Sequence, residues 1–352
     1  MTTVLVSARV LDRQVGGNTR YARTVYSGLA GHGVQHVLSR PPIEGGRARS
    51  AVYGAYEGLV LPRLRPSGID VLHFPADTGP LVPSRLPIVG TIHGLATLHV
   101  DDVRSRSSDR LWRLRVARLA ALSTTIITVS DSSARDIATV APDAAGKIVT
   151  IPHGIDHDTF NTRSTDQDSV ALDELGIDGP YFLYAGNLDP RKNIIELCRA
   201  ASKVFDETGV PLLVSGAPAW ESDAILEAVR GTRGVRYLGR VPDEALVPLL
   251  RGALAFCFPS TYEGFGFPVV EAMACGVPVI CSDRGSLAEV AGGAALTLTD
   301  IGATAIADHM REIVADPCLR NDLRSRGLIN ARRFHWSDSI AAHARVFEEA
   351  AR

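Results

Sequence analysis

Pro259-Ser-Thr-Tyr-Glu263-Gly-Phe-Gly-Phe-Pro-Val-Val-Glu271-Ala-Met-Ala-Cys-Gly-Val-Pro278 is the stretch on which the reading of this chain turns. An apolar run, Ala253 to Phe258, precedes it and has the unbroken hydrophobicity of a parallel strand buried on both faces. Glu263 follows, then a Gly264-Phe265-Gly266 turn, then Pro268 where a helix would open. Proline suits a first helical turn because the N–H it lacks would have had no partner there. Such a helix aims the backbone N–H groups of the Phe267–Val269 turn, and a partial positive charge, into the glycine turn. The glycines let the backbone come close to whatever sits there. The pattern is an anion cradle between two carboxylates eight positions apart, Glu263 before the helix and Glu271 within it. Either glutamate by itself fits a solvated helix end. The strand, glycine turn, Pro268 and Cys275-Gly-Val-Pro278 together favour the cradle. An anion site flanked by carboxylates that can take hydroxyls describes a nucleotide sugar.

Outward from this stretch, strand and helix patterns alternate along the whole chain. A first series runs Thr3–Ala8, Asp70–Phe74, Ile88–Ile92, Thr125–Val129 and Lys147–Ile151. A second runs Tyr181–Ala185, Leu212–Ser215, Val235–Leu238, Leu254–Phe258, Val279–Cys281 and Ala295–Leu298. Polar residues from about Asp156 to Asp168 separate the two series and read as an interdomain linker. The alternation predicts two doubly wound α/β domains with parallel sheets, whose carboxyl strand ends face a shared cleft.

The 352 residues suffice for two domains, and a hydrophobic content of 45% with mean hydropathy near zero excludes a disordered chain. A net charge of −2 gives no general attraction to nucleic acid or acidic lipid. The five cysteines lack Cys-x-x-Cys spacing and read as reduced core thiols of a cytoplasmic protein. The N-terminus has no basic region or cleavage site, and no apolar run approaches the roughly 20 residues that span a bilayer. Only three lysines occur, so Lys192 stands out beside Arg191 in a chain that otherwise uses arginine. Adjacent cations following Gly186, at the end of the second domain's first strand, suit a diphosphate.

The Pro259–Pro278 segment resembles the glutamate–seven-residue–glutamate signature of the retaining glycosyltransferases of family 4 along its whole length. The resemblance implies the GT-B architecture: two Rossmann-like domains facing a central cleft. Residues 1–160 would form the acceptor side and 170–335 the nucleotide-sugar domain, with a final helix, 336–352, packing back on the first. It implies metal-free, retaining transfer of a hexose from a nucleoside diphosphate sugar, with a lean to GDP-mannose. The acceptor would offer a hydroxyl, on a small molecule or a lipid-linked sugar, and no cofactor beyond the donor is implied.

Residue by residue, the resemblance implies that Arg191 and Lys192 stabilise the leaving diphosphate. Glu263 would hold sugar hydroxyls, Glu271 ribose hydroxyls, and Val241 would pass beside the base. The Val15-Gly16-Gly17 loop would face the donor phosphates, and His93 the reacting sugar. Gly94 stands where many members carry Asp, and Asn18-Thr19 where many carry another glycine. Without the resemblance, Val241-Pro242-Asp243 would be only a helix capped by Asp243, and His93 a core histidine.

Two Asp-x-Asp triplets, Asp156-His-Asp158 and Asp166-Gln-Asp168, imitate a metal-binding motif but have no apolar strand ahead of them, and no metal is expected. A full Gly-x-Gly-x-x-Gly after the first strand and a Walker loop are both absent, which weakens an NAD-dependent oxidoreductase or an NTPase. These stay as alternatives, with a non-hydrolysing sugar-nucleotide epimerase of similar fold. Arg104 to Arg118 hold six arginines among apolar residues. A solvated helix face accounts for them; peripheral contact with the inner membrane face or a lipid phosphate is the sharper alternative.

Overall fold

A computed structural model describes residues 1–13, 16–42, 49–100 and 106–352, without the side chains of 106–108 and Asp243. Val15 of the glycine loop and Arg104 of the basic stretch lie outside the described residues, as do the side chains of Arg106 and Asp243.

The backbone divides into two units, Met1–Gly154 with Phe334–Arg352, and Ile155–Arg333. In the first, strands β1 (Thr2–Ser7), β2 (Val34–Ser39), β3 (Val71–Phe74), β4 (Ile88–Ile92), β5 (Thr125–Thr128) and β6 (Ile148–Thr150) form one sheet. Their order is β2-β1-β3-β4-β5-β6, every pair parallel, with Leu5 opposite Leu72 and Leu72 opposite Ile88. The side-chain period of two sends alternate residues to opposite faces. Val4, Val6, Val71, Val89 and Ile127 pack with the Gly17–Gly28 helix and the final Trp336–Ala350 helix. Leu5, Leu72, Phe74, Ile88 and Ile126 pack instead with Trp112, Val116 and Leu119 of the Arg106–Leu122 helix. The final helix thus completes one face of the first sheet.

A directed chain of buried hydrogen bonds fastens that helix. His343 Nδ1 lies 2.7 Å from the Ser339 carbonyl, which only accepts, so Nδ1 carries the proton and Nε2 accepts. Tyr21 therefore donates to His343 Nε2 at 2.9 Å and accepts from Thr91 at 3.1 Å. Thr91 accepts from His73 Nε2 at 2.9 Å, and Tyr26 donates to His73 Nδ1 at 2.8 Å. Every group in the chain is satisfied in one direction, as buried polar groups must be.

The second unit repeats the design with β7 (Phe182–Ala185), β8 (Leu212–Ser215), β9 (Val235–Gly239), β10 (Ala255–Phe258), β11 (Val279–Ser282) and β12 (Leu296–Leu298). The order is β12-β11-β10-β7-β8-β9, again all parallel. Strands β7, β8, β10 and β11 are buried at every residue, which is why each reads as an unbroken apolar run.

Several expectations change. Strand β2 has no counterpart in the sequence-based series: it is an edge strand, and Gln35, His36 and Val37 are exposed. The stretch expected as a linker is packed onto the second unit. Arg251 donates to both Asp168 oxygens, at 3.0 and 2.8 Å, and to the Asn161 carbonyl at 2.8 Å. Both Asp-x-Asp triplets serve local structure, since Asp156 accepts from Thr159 at 2.7 Å and Asp168 holds Arg251. The helix expected to be capped by Asp243 begins at Asp243 itself, with Pro242 in the cap position. The helix expected from Pro268 begins one residue earlier, at Phe267. Four cysteines are buried and Cys318 is exposed, so it is not a core thiol.

The basic stretch is only partly a free surface. Arg113 pairs with Asp109 at 2.6 Å, Arg115 faces Glu57, and Arg118 donates to the Leu81 carbonyl at 2.9 Å. Leu111 and Leu114 of the same helix are exposed.

Candidate active site

In each sheet the chain winds outward from its first strand in both directions, and ligands of doubly wound sheets bind outside the carboxyl ends where the order reverses. In the second unit that point lies between β7 and β10. The loop after β7 carries Gly186, Arg191 and Lys192; the loop after β10 carries Glu263 to Gly266. Topology therefore brings the two sequence-predicted groups together.

Asp189 shapes the first loop. It accepts from the Arg191 backbone N–H at 3.1 Å, capping the short Pro190–Lys192 turn. Its carboxylate also takes the Arg191 guanidinium on two edges, Nε at 3.1 Å and Nη2 at 3.0 Å. Burial opposes charge on Arg191, but the Asp189 and Glu263 carboxylates outweigh it and raise its pKa above the usual value. Lys192 forms an ion pair with Glu263, and its ammonium also lies 4.9 Å from the centre of the Phe258 ring. Thr261 N–H donates to the Arg191 carbonyl at 2.7 Å and ties the two loops to each other.

Glu263 is held from behind by a third loop that the sequence reading did not single out. Ser286 N–H donates to the Glu263 carbonyl at 3.0 Å. The Ser286 hydroxyl lies 3.1 Å and 2.8 Å from the Glu263 and Phe265 carbonyls. Gly285, at φ 60°, approaches so closely that a Cβ there would stand 2.4 Å from the Glu263 oxygen. The available signal was a Gly-Ser pair just past the apolar run Val279–Cys281. Gly216 was also missed: a Cβ on it would stand 1.8 Å from the Gly186 carbonyl, so the ends of β7 and β8 meet backbone to backbone.

The Phe267–Ala274 helix opens at Gly266 with no side-chain cap, so Phe267, Pro268 and Val269 form its first turn. Glu271 is buried in this helix, with 6% of its surface exposed. Val241 is buried beside the turn after β9. These positions place Gly264, Phe265 and Gly266 at the mouth of an uncapped helix, next to two cations and a carboxylate.

In the first unit the order reverses between β1 and β3. A cavity of about 470 Å³ lies there, lined by Gly16 and Gly17 of the glycine loop and by Asp77. Asp77 accepts from the His93 backbone N–H at 2.8 Å, and His93 Nε2 lies 3.1 Å from the Pro75 carbonyl. A carbonyl only accepts, so Nε2 bears the proton, and burial holds the ring neutral by lowering its pKa. His93 Nδ1 is then an acceptor, buried and without a hydrogen-bond partner among the described residues. Tyr21 packs edge-on against the ring, 4.8 Å between centres. Among the described residues, no group of three or more His, Cys, Asp or Glu side chains is arranged to hold a metal ion. No helix among them is long and apolar enough to cross a membrane.

Two family models match the chain: Glycosyltransferase Family 4 over residues 15–159 and Glycosyl transferases group 1 over residues 172–328. O-antigen chain mannosyltransferase B of Escherichia coli is 41% identical over 220 residues, 60% of this chain and 57% of that protein. A phosphatidyl-myo-inositol mannosyltransferase of Mycobacterium tuberculosis is 32% identical over 217 residues, 58% of this chain and 54% of that protein. The chain thus matches little more than half the length of these relatives. Among solved structures, sucrose-phosphate synthase of Thermosynechococcus elongatus superposes with a TM-score of 0.79 at 20% identity, over 99% of both chains. WaaG, a glycosyltransferase involved in lipopolysaccharide biosynthesis, superposes with 0.72 at 16% identity, also over 99% of both. These likenesses show the fold, two Rossmann-like α/β units of the GT-B kind. By both family models, one in each half, the chain belongs to the family 4, group 1 glycosyltransferases.

Proposed function

We propose that this protein transfers a hexose, mannose by preference, from a nucleoside diphosphate sugar to an acceptor hydroxyl, with retention and without a metal. The observation that carries the reading is the Arg191–Lys192–Glu263 cluster beside the uncapped Phe267–Ala274 helix. Transfer needs a fixed positive field where the departing diphosphate gathers charge, and a polar partner for the sugar that gains positive character. Preorganised charges of this kind are commonly the largest contribution to catalysis. Asp189 orients the guanidinium before any substrate arrives, and Lys192 has three donors of which Glu263 takes one. The positive end of the helix dipole adds to that field.

Glu263 is suited to the sugar hydroxyls and buried Glu271 to the ribose hydroxyls. The open acceptor atom on His93 Nδ1 suits a hydroxyl of the reacting sugar or of the acceptor. Two relatives are mannosyltransferases by name, which supports mannose; a guanosine donor agrees with that sugar. The acceptor is a small molecule or a lipid-linked sugar.

The test is a panel of nucleotide sugars given to the purified chain in EDTA, followed by NMR of the first product. Release of nucleoside diphosphate fastest from GDP-mannose, with the donor's anomeric configuration kept, is expected. An inverted product overturns retention, and activity that returns only with manganese or magnesium overturns the metal-free reading.

A further inference from the structure

The first-unit cavity, which the glycine loop borders, also holds three arginines, Arg9, Arg13 and Arg115, to which the donor reading gives no role. Two of its arginines share one buried carboxylate: Arg9 Nη1 lies 2.9 Å from Glu57 Oε2, and Arg115 Nη2 lies 3.8 Å from the same oxygen. Ser7 donates to the other Glu57 oxygen at 2.6 Å, and Arg9 donates to Thr78 at 3.0 Å. At 3.8 Å the Arg115 contact is electrostatic only, too long for a hydrogen bond. Arg115 Nε and Nη2 are buried and meet no acceptor among the described residues. Burial, joined by the charge of Arg9 and opposed by Glu57, lowers the Arg115 pKa. A buried guanidinium with unmet donors is costly unless an occupant takes them.

The rest of the lining points the same way. Arg13 stands exposed at the rim, and Gly17 and Asn18 present the first turn of a twelve-residue helix. Glu57 stands behind the arginines, and Asp77, the carboxylate that lines the cavity among the described residues, already accepts from His93. Three guanidinium groups against Glu57 and Asp77 leave an excess of positive charge in a space of about 470 Å³, ample for a small molecule.

We propose that this cavity is a phosphate subsite: Arg115 and Arg13, with Arg9 behind them and the Gly17–Asn18 turn beside them, hold the phosphate of a phosphorylated acceptor. That the ligand is the acceptor rests on the glycosyltransferase reading; that it carries a phosphate rests on the cavity alone. Guanidinium forks bind phosphate oxygens in pairs, and a helix N-terminus adds backbone donors. The phosphate would anchor a sugar or polyol whose free hydroxyl reaches the His93 side, one hydrogen bond away through Asp77.

The experiment is calorimetric titration of the full chain with inorganic phosphate, mannose 6-phosphate, mannose and GDP. Both phosphates are expected to bind and mannose to bind far more weakly. Arg115→Gln and Arg13→Ala should each weaken mannose 6-phosphate by about tenfold or more, since hydrogen bonds between charged groups are strong. GDP affinity should not change. Arg13 is exposed, so its variant keeps the test valid if Arg115→Gln disturbs Glu57. Equal affinity for mannose and mannose 6-phosphate, or phosphate binding indifferent to both substitutions, overturns the subsite. So does a loss confined to GDP, which would assign the cavity to the donor. Phosphatidylglycerol vesicles against sn-glycerol 3-phosphate separate the sources: Arg115-dependent binding of the vesicles means a lipid headgroup, of the soluble compound a free phosphate. Arg115-dependent phosphate binding with no binding of any nucleotide would keep the subsite and refute the transferase reading.

Discussion

Lys192 and Glu263 pair with side chains only 11% and 13% exposed, and both also belong to the proposed donor site. Their dual position separates what each substitution should do. Arg191→Ala or Lys192→Ala should lower kcat far more than it raises the donor KM, because leaving-group charge grows only toward the transition state. Loss in KM alone, with kcat kept, would contradict that role. Lys192→Ala also strands the Glu263 carboxylate, so Lys192→Met with Glu263→Gln serves as the stability control. Glu271→Ala should raise the donor KM with kcat near normal, since a ribose contact is the same in ground and transition states. Equal losses in kcat and kcat/KM would exchange the roles of the two glutamates. At this scale the sequence showed which charged side chains cluster, because charge beside glycine after an apolar run is a local pattern. It did not show Asp189 gripping Arg191 or Ser286 gripping Glu263, because the first depends on a turn and the second on a contact 23 residues distant.

Strand β10, its loop and the Phe267–Ala274 helix form the element of the proposed donor site, and the loop after β11 fixes its shape. Gly285→Ala tests that support. The substitution sets an alanine at φ 60°, costing about 1–2 kcal/mol from the backbone alone. It also drives a methyl group into the Glu263 carbonyl. Thermal stability and turnover should fall together; a variant with wild-type turnover would show that Glu263 does not need this brace. The buried strands were legible because parallel strands covered on both faces are apolar throughout. Edge strand β2 was not, since solvent on one side lets Gln35 and His36 into it. The Asp156–Asp168 stretch misled for the opposite reason: its polar residues face Arg251 and their own turns, not solvent alone.

The molecule as a whole carries four histidines kept neutral by burial in the first unit: His73, His93, His153 and His343. Burial lowers each, His343 to about 4, with the neighbouring histidines adding to it for three of them. The unfolded chain binds protons on these rings below about 6.5 and the folded chain does not. Stability from this source is therefore whole above about pH 6.5 and is lost as pH falls toward 4. The melting temperature should drop across that interval, and His343→Gln should flatten the drop; an unchanged melting temperature from pH 7 to pH 5 would contradict it. The histidines were visible in the sequence, but their convergence from four distant segments was not.

The most direct measurement is nucleoside diphosphate release from GDP-mannose by the full chain in EDTA, with a hydroxyl acceptor present, for wild type and Lys192→Ala. Metal-free release by the wild type, reduced by about two orders of magnitude or more in kcat for the variant, is expected of a fixed cation at the leaving group. Equal release by both proteins, or none by the wild type from any nucleotide sugar, would contradict it.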